Sequence, residues 1–357
     1  MRHVHIGAGA LGLGLIIPLT ARHFDITLAH RASSISWELV QGIQRAGSYV
    51  HEFPSLAGGR DRNRVELGSS FRVVDSKNLE ELVNSICSPD VRLLTMALTE
   101  RGLEDFTGDL RKALTARRKR DDCDSLCVLA CENTVGPNYT ALTQEFHGAG
   151  IEFPLCMVDR ICFTPELRDG IVTSFTEHYG SWIIEWTPGS GPIKQVLALN
   201  GYIEFVNEIA GPRKKKRLLV NAPHLVVGLH AKDAKVAHID TFLQGGEGRT
   251  LLRRTQEECT KALMTYPFTF QLDDLQQFNE SVANRFSMLH FETDNVLQRL
   301  QKDRLESLMT AADELLVEPS GQYLEAYGSF PGALTLALHT LVTLVSERRY
   351  AEPRRCA

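Results

Sequence analysis

Three polar residues in the second half of the chain, Lys216, Asn221 and His224, form the pattern K-x4-N-x2-H. A lysine among apolar neighbours serves as a general base without a metal, because desolvation lowers its pKa. Amide and imidazole groups donate hydrogen bonds to an oxygen that gains negative charge. On a straight helix, His224 lies roughly 80° and Asn221 roughly 140° around from Lys216, so the three share one half of it. The pattern predicts hydride-transfer chemistry at an alcohol or ketone.

The same lysine has a structural interpretation. Lys216 lies in the basic run 213–217, which is typical of a solvated face, and its spacing alone leaves both interpretations open. Pro223 lacks a backbone N–H and its ring clashes with the preceding turn, so we expect a kink around residues 219–223.

A glycine-rich pattern lies at the N-terminus, where Gly7, Gly9 and Gly12 form G-x-G-x-x-G between an apolar strand and an apolar helix. Gly7 would make a tight turn, Gly9 would admit a pyrophosphate, and Gly12 would let the helix pack closely on the strand. The helix N-terminus favours negative charge. The motif predicts a dinucleotide cofactor, and the alternative is a purely structural glycine turn.

The end of the predicted second strand bears on the choice of cofactor. His30, Arg31 and Ser33 stand where NAD-binding chains carry an acid for the ribose 2′-hydroxyl. A guanidinium with a nearby hydroxyl suits a 2′-phosphate, which favours NADP(H) over NAD(H). Alternatively, Arg31 is a surface residue and NAD binds through other groups.

The elements that must position these groups follow from the hydrophobic periodicity. The first half alternates short apolar runs with helical patterns, which predicts an α/β fold with a Rossmann-type, mostly parallel sheet. Pro188–Pro192 (PGSGP) is a strong breaker, and long helical periods dominate beyond it. We therefore expect a dinucleotide-binding domain in residues 1–190 and an all-helical catalytic domain in 191–357. The predicted strands include His3–Ile6, Asp25–Ala29, Val91–Ala97, Ser125–Cys131, Phe153–Val158, Ile171–Phe175 and Ser181–Trp186. The predicted helices include Leu11–His23, Leu79–Ile86, Leu103–Ala116, Ile193–Ile209, Leu251–Tyr266, Asp294–Leu316 and Gly332–Glu347.

Composition narrows the class of protein. The chain has 357 residues, 43% hydrophobic and 23% charged, with a net charge of -5, so a small-molecule substrate is a better expectation than a nucleic acid. No apolar run reaches the length of a membrane span, and no leader precedes the glycine motif. No cluster of His, Cys and carboxylates has metal-ligand spacing, so no metal is expected. We expect a cytoplasmic monomer or homodimer.

With these motifs the chain resembles the polyol-specific long-chain dehydrogenases and reductases, and within them the mannitol-1-phosphate 5-dehydrogenase branch. The resemblance rests on the pattern K-x4-N-x2-H, on the N-terminal glycine motif, and on three further segments. Those segments are Thr99–Gly102 (TERG), Cys131–Asn133 (CEN) and Met157–Ile161 (MVDRI).

The resemblance implies roles for particular residues. Lys216 would be the general base, Asn133 and Asn221 would stabilise the oxyanion, and His224 would contact the reacting hydroxyl. Thr99 and Glu100 would lie at the cofactor, whereas Asp159 and Arg160 would lie at the substrate. The implied reaction is hydride transfer between a nicotinamide and a polyol phosphate or ketose phosphate.

Three departures from the branch leave other substrates open. His30-Arg31 replaces the usual acid, Pro223 replaces a small flexible residue, and Ser307 stands where a lysine is usual. One alternative is a dehydrogenase of the same fold that reduces another specialised ketone or a 2-keto acid. Another is a nucleotide-sensing Rossmann protein without turnover, because a fold alone does not establish activity.

Overall fold

The computed structural model describes residues 1–32, 36–55, 59–132, 136–148, 150–187, 191–288 and 311–351. By compactness the chain divides into two units, Met1–Ile209 and Ala210–Ala357. No helix in these described ranges is both long and apolar enough to cross a lipid bilayer.

The first unit is built on a six-stranded sheet in the order β5-β2-β1-β6-β7-β8, in which all neighbouring strands run parallel. Its central strands β1, β6 and β7 are short apolar runs buried on both faces, as the βαβ pattern requires. A four-stranded sheet, β10-β11-β3-β4, and a three-stranded sheet, β13-β12-β9, complete the unit. The strands are β1 Arg2–Ile6, β2 Asp25–His30, β3 Ser48–Pro54, β4 Arg60–Glu66, β5 Arg72–Asp75, β6 Val91–Met96, β7 Leu126–Ala130, β8 Ile151–Glu152, β9 Cys156–Asp159, β10 Glu166–Arg168, β11 Ile171–Phe175, β12 Ser181–Glu185 and β13 Ile203–Val206.

Helices cover both faces of the main sheet. Alternate residues of each strand point to opposite faces, so Leu93 and Leu94 of β6 belong to different hydrophobic clusters. This is the predicted fold class, and the structure confirms it. The helices of the first unit are α1 Ile17–Thr20, α2 Trp37–Ala46, α3 Leu79–Ile86, α4 Glu100–Arg118, α5 Pro137–Phe146 and α6 Gly191–Leu197.

Two predicted elements of the first unit are wrong. Of the strand expected at Phe153–Val158, only the second half is a strand: β8 of the main sheet ends at Glu152, and β9 of the three-stranded sheet begins at Cys156. Pro154 lies between them, and a proline cannot donate to a strand ladder. The helix expected at Ile193–Ile209 ends at Leu197, and β13 follows it and pairs with β12. Residues 191–209 therefore belong to the first compact unit, although the breaker at 188–192 suggested an earlier division.

The second unit has only helices among its described elements. Their apolar faces form one hydrophobic cluster that includes Leu218, Leu219, Cys259 and Leu316. The predicted helix Asp294–Leu316 lies mostly outside the described residues. The helices are α7 Ala210–Lys216, α8 Ala222–Asp233, α9 Ile239–Gln244, α10 Gly246–Leu263, α11 Leu272–Met288, α12 Glu318–Tyr327 and α13 Gly332–Ala351.

Glu258 of α10 fixes the beginning of α13. Its buried carboxylate accepts hydrogen bonds from the backbone N–H of Ala333 at 3.0 and 2.9 Å and of Leu334 at 3.1 Å. Arg254 donates to the same carboxylate at 3.2 Å. An anion at a helix N-terminus satisfies free amides and interacts favourably with the helix dipole.

Within the described ranges, three short π-helical segments interrupt the α-helices: π1 Gly12–Ile16, π2 Arg217–Asn221 and π3 Asp313–Val317. Each is followed two residues later by a proline, namely Pro18, Pro223 or Pro319. A proline removes one helix hydrogen bond and its ring collides with the carbonyl four residues earlier. The wider π turn relieves that collision, so the prolines account for the position of the segments.

Side chains satisfy the carbonyl groups that the first of these turns releases. The hydroxyl of Tyr49 donates to the Leu13 carbonyl at 2.7 Å, and Nη1 of Arg160 donates to the Gly14 carbonyl at 3.0 Å. These bonds hold the helix that follows the glycine motif.

Candidate functional site

The glycine motif forms a tight turn at the carboxyl end of β1. Gly7 has a φ of +107°, and a Cβ there would lie 2.5 Å from the Ala97 carbonyl oxygen. Only glycine fits this position without strain. Nothing lies within 4 Å of the Cβ position of Gly9, whereas a Cβ at Gly12 would lie 2.4 Å from both the Gly7 carbonyl oxygen and His5 Nε2. The turn therefore leaves no room for a side chain at Gly12, whereas the space at Gly9 is open, as a bound pyrophosphate requires.

A pocket of about 200 Å³ opens beside this turn at the carboxyl edge of the sheet. The cations Arg31 and Lys77 line it, and no carboxylate does so among the described residues. This lining suits a ligand that carries phosphates, so the residues present fit a dinucleotide. The lining residues are Ile6, Gly7, Ala29, His30, Arg31, Ser76, Lys77, Leu98, Gly102 and Phe106.

His30 links the glycine turn to the end of β2. Its Nδ1 accepts a hydrogen bond from the Ala8 backbone N–H at 3.3 Å, and its Nε2 lies 2.7 Å from Ser36 Oγ. Burial lowers the pKa of His30 and the positive charge of Arg31 lowers it further, while Asp75 opposes the shift. The ring is therefore neutral at pH 7, which is the state that accepts the Ala8 N–H.

Thr99 and Glu100 begin helix α4, next to the carboxyl end of β6. Thr99 is the N-cap, and its Oγ1 accepts from the Gly102 N–H at 3.1 Å. Both residues are exposed, and Gly102 lines the pocket. Their contact with a cofactor stays a prediction. The predicted residues Ser33 and Asn133 lie outside the described residues.

Asp159 and Arg160 follow one another at the end of β9. Asp159 is buried. The Arg160 guanidinium donates to the main-chain carbonyls of Gly14, Glu177 and His178 at 3.0 to 3.2 Å. Burial lowers the pKa of Arg160, and nearby Cys162 and Glu177 oppose this. These contacts are structural, so the substrate role expected for both residues stays a prediction.

Lys216, Asn221 and His224 lie on one helical run of the second unit, made of α7, π2 and α8. All three are half-buried, whereas Leu218, Leu219 and Val220 between them are buried. The rings of His224 and the buried Phe286 pack with their centroids 5.2 Å apart. The apolar residues next to the lysine in the chain are therefore buried, while the lysine itself keeps some exposure.

The π turn changes the angular relationship of these residues. In π2 the Ala222 N–H donates to the Arg217 carbonyl, five residues back. Residues five apart therefore lie one above the other along such a turn. Lys216 and Asn221 have this spacing, so the angle of roughly 140° predicted for a straight α-helix is wrong. His224 lies three residues further on, which is the same helix face.

The histidines of β1 form a buried group that was missed from the sequence. His3 and His5 flank one strand residue and therefore point to the same side of β1, toward Thr95 of β6. Their alternate spacing was a visible signal, but the pairing of β1 with β6 had to be known. No group of three or more His, Cys, Asp or Glu residues could hold a metal ion in the described part of the chain.

Comparison with known proteins places the chain in a family. The model of the mannitol dehydrogenase Rossmann domain matches residues 1–193. Mannitol-1-phosphate 5-dehydrogenase of Lactococcus lactis is 24% identical over 297 residues, which are 80% of this chain and 73% of the relative. The enzyme of the same name from Arthrobacter sp. strain FB24 is 24% identical over 352 residues, which are 95% of this chain and 85% of the relative.

A solved structure supports the fold over most of the chain. Pseudomonas fluorescens mannitol 2-dehydrogenase, in a ternary complex with NAD and D-mannitol, has a TM-score of 0.70 at 15% identity. The match covers 96% of this chain and 78% of that one. Because the family model covers more than half of the residues and the predicted motifs lie within the same fold, the chain belongs to the mannitol dehydrogenase family of oxidoreductases.

Proposed function

We propose that this protein transfers a hydride between a nicotinamide dinucleotide and a polyol phosphate or the corresponding ketose phosphate, with Lys216 as the general base. The observation that carries the proposal is the shared face of Lys216, Asn221 and His224 across the π turn. That arrangement gives a proton acceptor and two hydrogen-bonding groups to one substrate oxygen.

The first unit supplies the cofactor site in this proposal. Gly7, Gly9 and Gly12 hold the pyrophosphate, and Arg31 and Lys77 in the adjacent pocket favour the 2′-phosphate of NADP(H) over the bare ribose of NAD(H). When bound, the nicotinamide accepts a hydride from the alcohol carbon or returns one to the ketone carbon.

The second unit supplies the proton chemistry. In the oxidative direction Nζ of Lys216 takes the hydroxyl proton, and in the reductive direction it returns that proton to the carbonyl oxygen. The amide of Asn221 donates a hydrogen bond to that oxygen while its charge is negative, and the family resemblance implies the same role for Asn133. His224 contacts the hydroxyl and is held by Phe286. Leu218 and Leu219, which follow Lys216 in the chain, are buried, and Lys216 itself is half-buried.

The preference for a phosphorylated substrate rests on the relatives. Both curated relatives described above carry the name mannitol-1-phosphate 5-dehydrogenase, and they match most of this chain. The test is the oxidation of NADPH and of NADH, followed by absorbance, with fructose 6-phosphate, free fructose and a set of 2-keto acids run in parallel. Oxidation of mannitol 1-phosphate with NADP+ and NAD+ checks the reverse direction.

Each outcome of the assay decides one part of the proposal. Turnover with fructose 6-phosphate that exceeds turnover with free fructose supports the phosphorylated substrate. Faster turnover with a 2-keto acid overturns that substrate but keeps the hydride transfer. A protein that binds NADPH or NADH and turns over none of these substrates favours the nucleotide-sensing alternative.

A further inference from the structure

The group that the catalytic proposal leaves unused is the buried chain of Thr20, His3, Thr95 and His5 beneath the glycine turn. All four side chains are fully buried. Thr95 Oγ1 lies 2.6 Å from His3 Nε2 and 2.6 Å from His5 Nδ1, while His3 Nδ1 lies 3.0 Å from Thr20 Oγ1. The four residues therefore form one continuous hydrogen-bonded chain from helix α1 to strand β1.

The chain ends at the turn that the glycine motif forms. His5 Nε2 is buried and has no hydrogen-bond partner of good geometry among the described residues. A Cβ at Gly12 would lie 2.4 Å from this nitrogen and 2.4 Å from the Gly7 carbonyl oxygen. The free edge of the ring thus faces the place where Gly7 and Gly12 meet. Any side chain at Gly12 would separate the ring from the turn.

Both rings are neutral, because burial lowers the pKa of His3 well below its ordinary value and that of His5 to about 3. Each ring then carries one proton, and the Thr95 hydroxyl donates to one ring while it accepts from the other. Only two orders of protons satisfy the chain. The first leaves no proton on His5 Nε2, so that two acceptors, this buried nitrogen and the Gly7 carbonyl oxygen, face each other.

The second order places the proton on His5 Nε2, where it points to the Gly7 carbonyl. It requires Thr20 to donate to His3 instead of the Ile16 carbonyl, which lies 2.9 Å from its hydroxyl. The loss is small because that hydroxyl keeps a partner, whereas the first order leaves a buried acceptor without a donor. The Gly7 carbonyl also acts on the ring electrostatically, since it opposes the fall in the pKa of His5.

We propose that His5 is a positioning residue for the dinucleotide: the chain Thr20–His3–Thr95–His5 aims an N–H at the Gly7 carbonyl and so holds the glycine turn in its cofactor-binding shape. The ligand named here rests on the proposed function. His5 touches neither the substrate nor the reacting atoms, so its effect falls on cofactor affinity and not on the chemical step.

Two substitutions at His5 test the roles of Nε2 and Nδ1 separately. In His5→Gln the amide nitrogen reaches the position of Nε2 and can still donate to Gly7. In His5→Asn it stays near the position of Nδ1, which keeps Thr95 but removes the donor to the turn. Thr95→Val breaks the chain at its centre, and Thr95→Ser is the matched control that keeps the hydroxyl.

The experiment measures the dissociation constants of NADPH and NADH, the kcat, and the free energy of unfolding in urea for each variant. We expect His5→Asn and Thr95→Val to weaken cofactor binding about tenfold, with His5→Gln and Thr95→Ser within about threefold of wild type and kcat little changed. Cofactor affinity that is equal in all variants overturns the inference. A loss of cofactor affinity that is proportional to the loss of unfolding free energy across the variants overturns it as well. If the wild-type protein binds neither cofactor, the proposed function fails instead.

Nitrogen-15 NMR of the histidine side chains tests the proton order directly. The inference requires a proton on Nε2 of both His3 and His5, with both Nδ1 atoms bare. Protons on Nδ1 would overturn it, because His5 then has nothing to donate to Gly7.

Discussion

Lys216 and Asn221 lie on the same face of one helix because a π turn separates them. A spacing of five residues in an ordinary α-helix would rotate Asn221 roughly 140° away from the lysine. The wider π turn removes most of that rotation. The step of three residues from Asn221 to His224 keeps the third side chain on the same face. The catalytic arrangement that we propose therefore depends on the irregularity of the helix.

Replacement of Lys216 by alanine tests the general base. We expect Lys216→Ala to lower kcat by about 100-fold or more, because the alcohol proton loses its acceptor. The dissociation constant of the cofactor should stay close to that of the wild type. Lys215→Ala is the matched control, since it removes the adjacent cation, which packs over the Phe278 ring with its Nζ 4.2 Å from the centroid. Equal activity in the two variants would contradict the assignment of Lys216.

Pro223→Ala tests the π turn. An alanine restores the missing N–H and removes the ring that collides with the preceding turn, so π2 can revert to an α-helix. Such a reversion rotates Lys216 relative to Asn221, and we expect kcat to fall about tenfold, or roughly 1.4 kcal/mol in the barrier. Pro319→Ala changes the equivalent position after π3 and serves as the control. A similar loss of kcat in both variants would show a general effect on folding.

Arg31→Ala tests the choice between the two cofactors. Arg31 lines the pocket beside the glycine turn and its side chain is exposed. We expect NADPH binding to weaken about tenfold and NADH binding to change by less than about threefold, because only the 2′-phosphate loses an ion pair. Arg22→Ala removes an exposed arginine outside this pocket and should change neither affinity. Equal losses for NADPH and NADH would contradict a 2′-phosphate contact.

Glu258→Gln tests the anion that begins helix α13. The amide oxygen can replace Oε2, which accepts from both Ala333 and Leu334. The NH2 group then stands in place of Oε1 and faces the N–H groups of Ala333 and Arg254, which are donors themselves. We expect the free energy of unfolding to fall by about 1–3 kcal/mol in urea. Glu257→Gln is the control: Glu257 is exposed and its contact with Arg253 is long, at 3.9 Å, so a change within about 0.5 kcal/mol is expected.

The buried histidines predict a loss of stability in acid. Burial lowers the pKa of His5 to about 3 and that of His51 to about 4, with Arg160 lowering the latter further. As the pH falls below the ordinary value of 6.5, the unfolded chain takes up protons that these rings in the folded protein do not. Each ring then lowers the free energy of unfolding by about 2 kcal/mol as the pH falls from 7 to 5. The decrease levels off below the pKa of the ring in the folded protein.

Urea unfolding at pH 7 and at pH 5 measures this dependence. His51→Asn removes one of the titrating rings, so the difference in unfolding free energy between the two pH values should shrink by about 2 kcal/mol. An unchanged difference in that variant would mean that His51 is not buried as the structure has it.

The sequence predicted those parts of the fold that local patterns encode. Strand β2 was expected at Asp25–Ala29 and extends to His30, and α3 has the predicted bounds Leu79–Ile86. The glycine motif lies between a strand and a helix, as its spacing required. Hydrophobic periodicity and turn residues are local signals, so they can be recognised without knowledge of the tertiary structure.

The parts that were wrong or missed depend on contacts between distant residues. Strand β13 forms because β12 lies beside Ile203–Val206, although the same segment has an apolar pattern that also suits a helix. In the sequence His3 and His5 have the pattern of ordinary strand residues. Only the pairing of β1 with β6 places the Thr95 hydroxyl between the two rings. Tyr49 and Arg160 hold the carbonyls of π1 from far along the chain, and no local pattern indicates that contact.

The π turn at residues 217–221 has a consequence for how this chain is aligned. Such a turn is equivalent to one residue inserted into an α-helix. Helical positions before Arg217 and after Asn221 are therefore out of phase, and a relative with a regular helix needs a one-residue gap here. Deletion of one residue within the segment would turn everything that precedes it by about 100° relative to His224. When the position of a substitution is taken from a relative, the helix before the π turn and the helix after it should therefore be aligned separately.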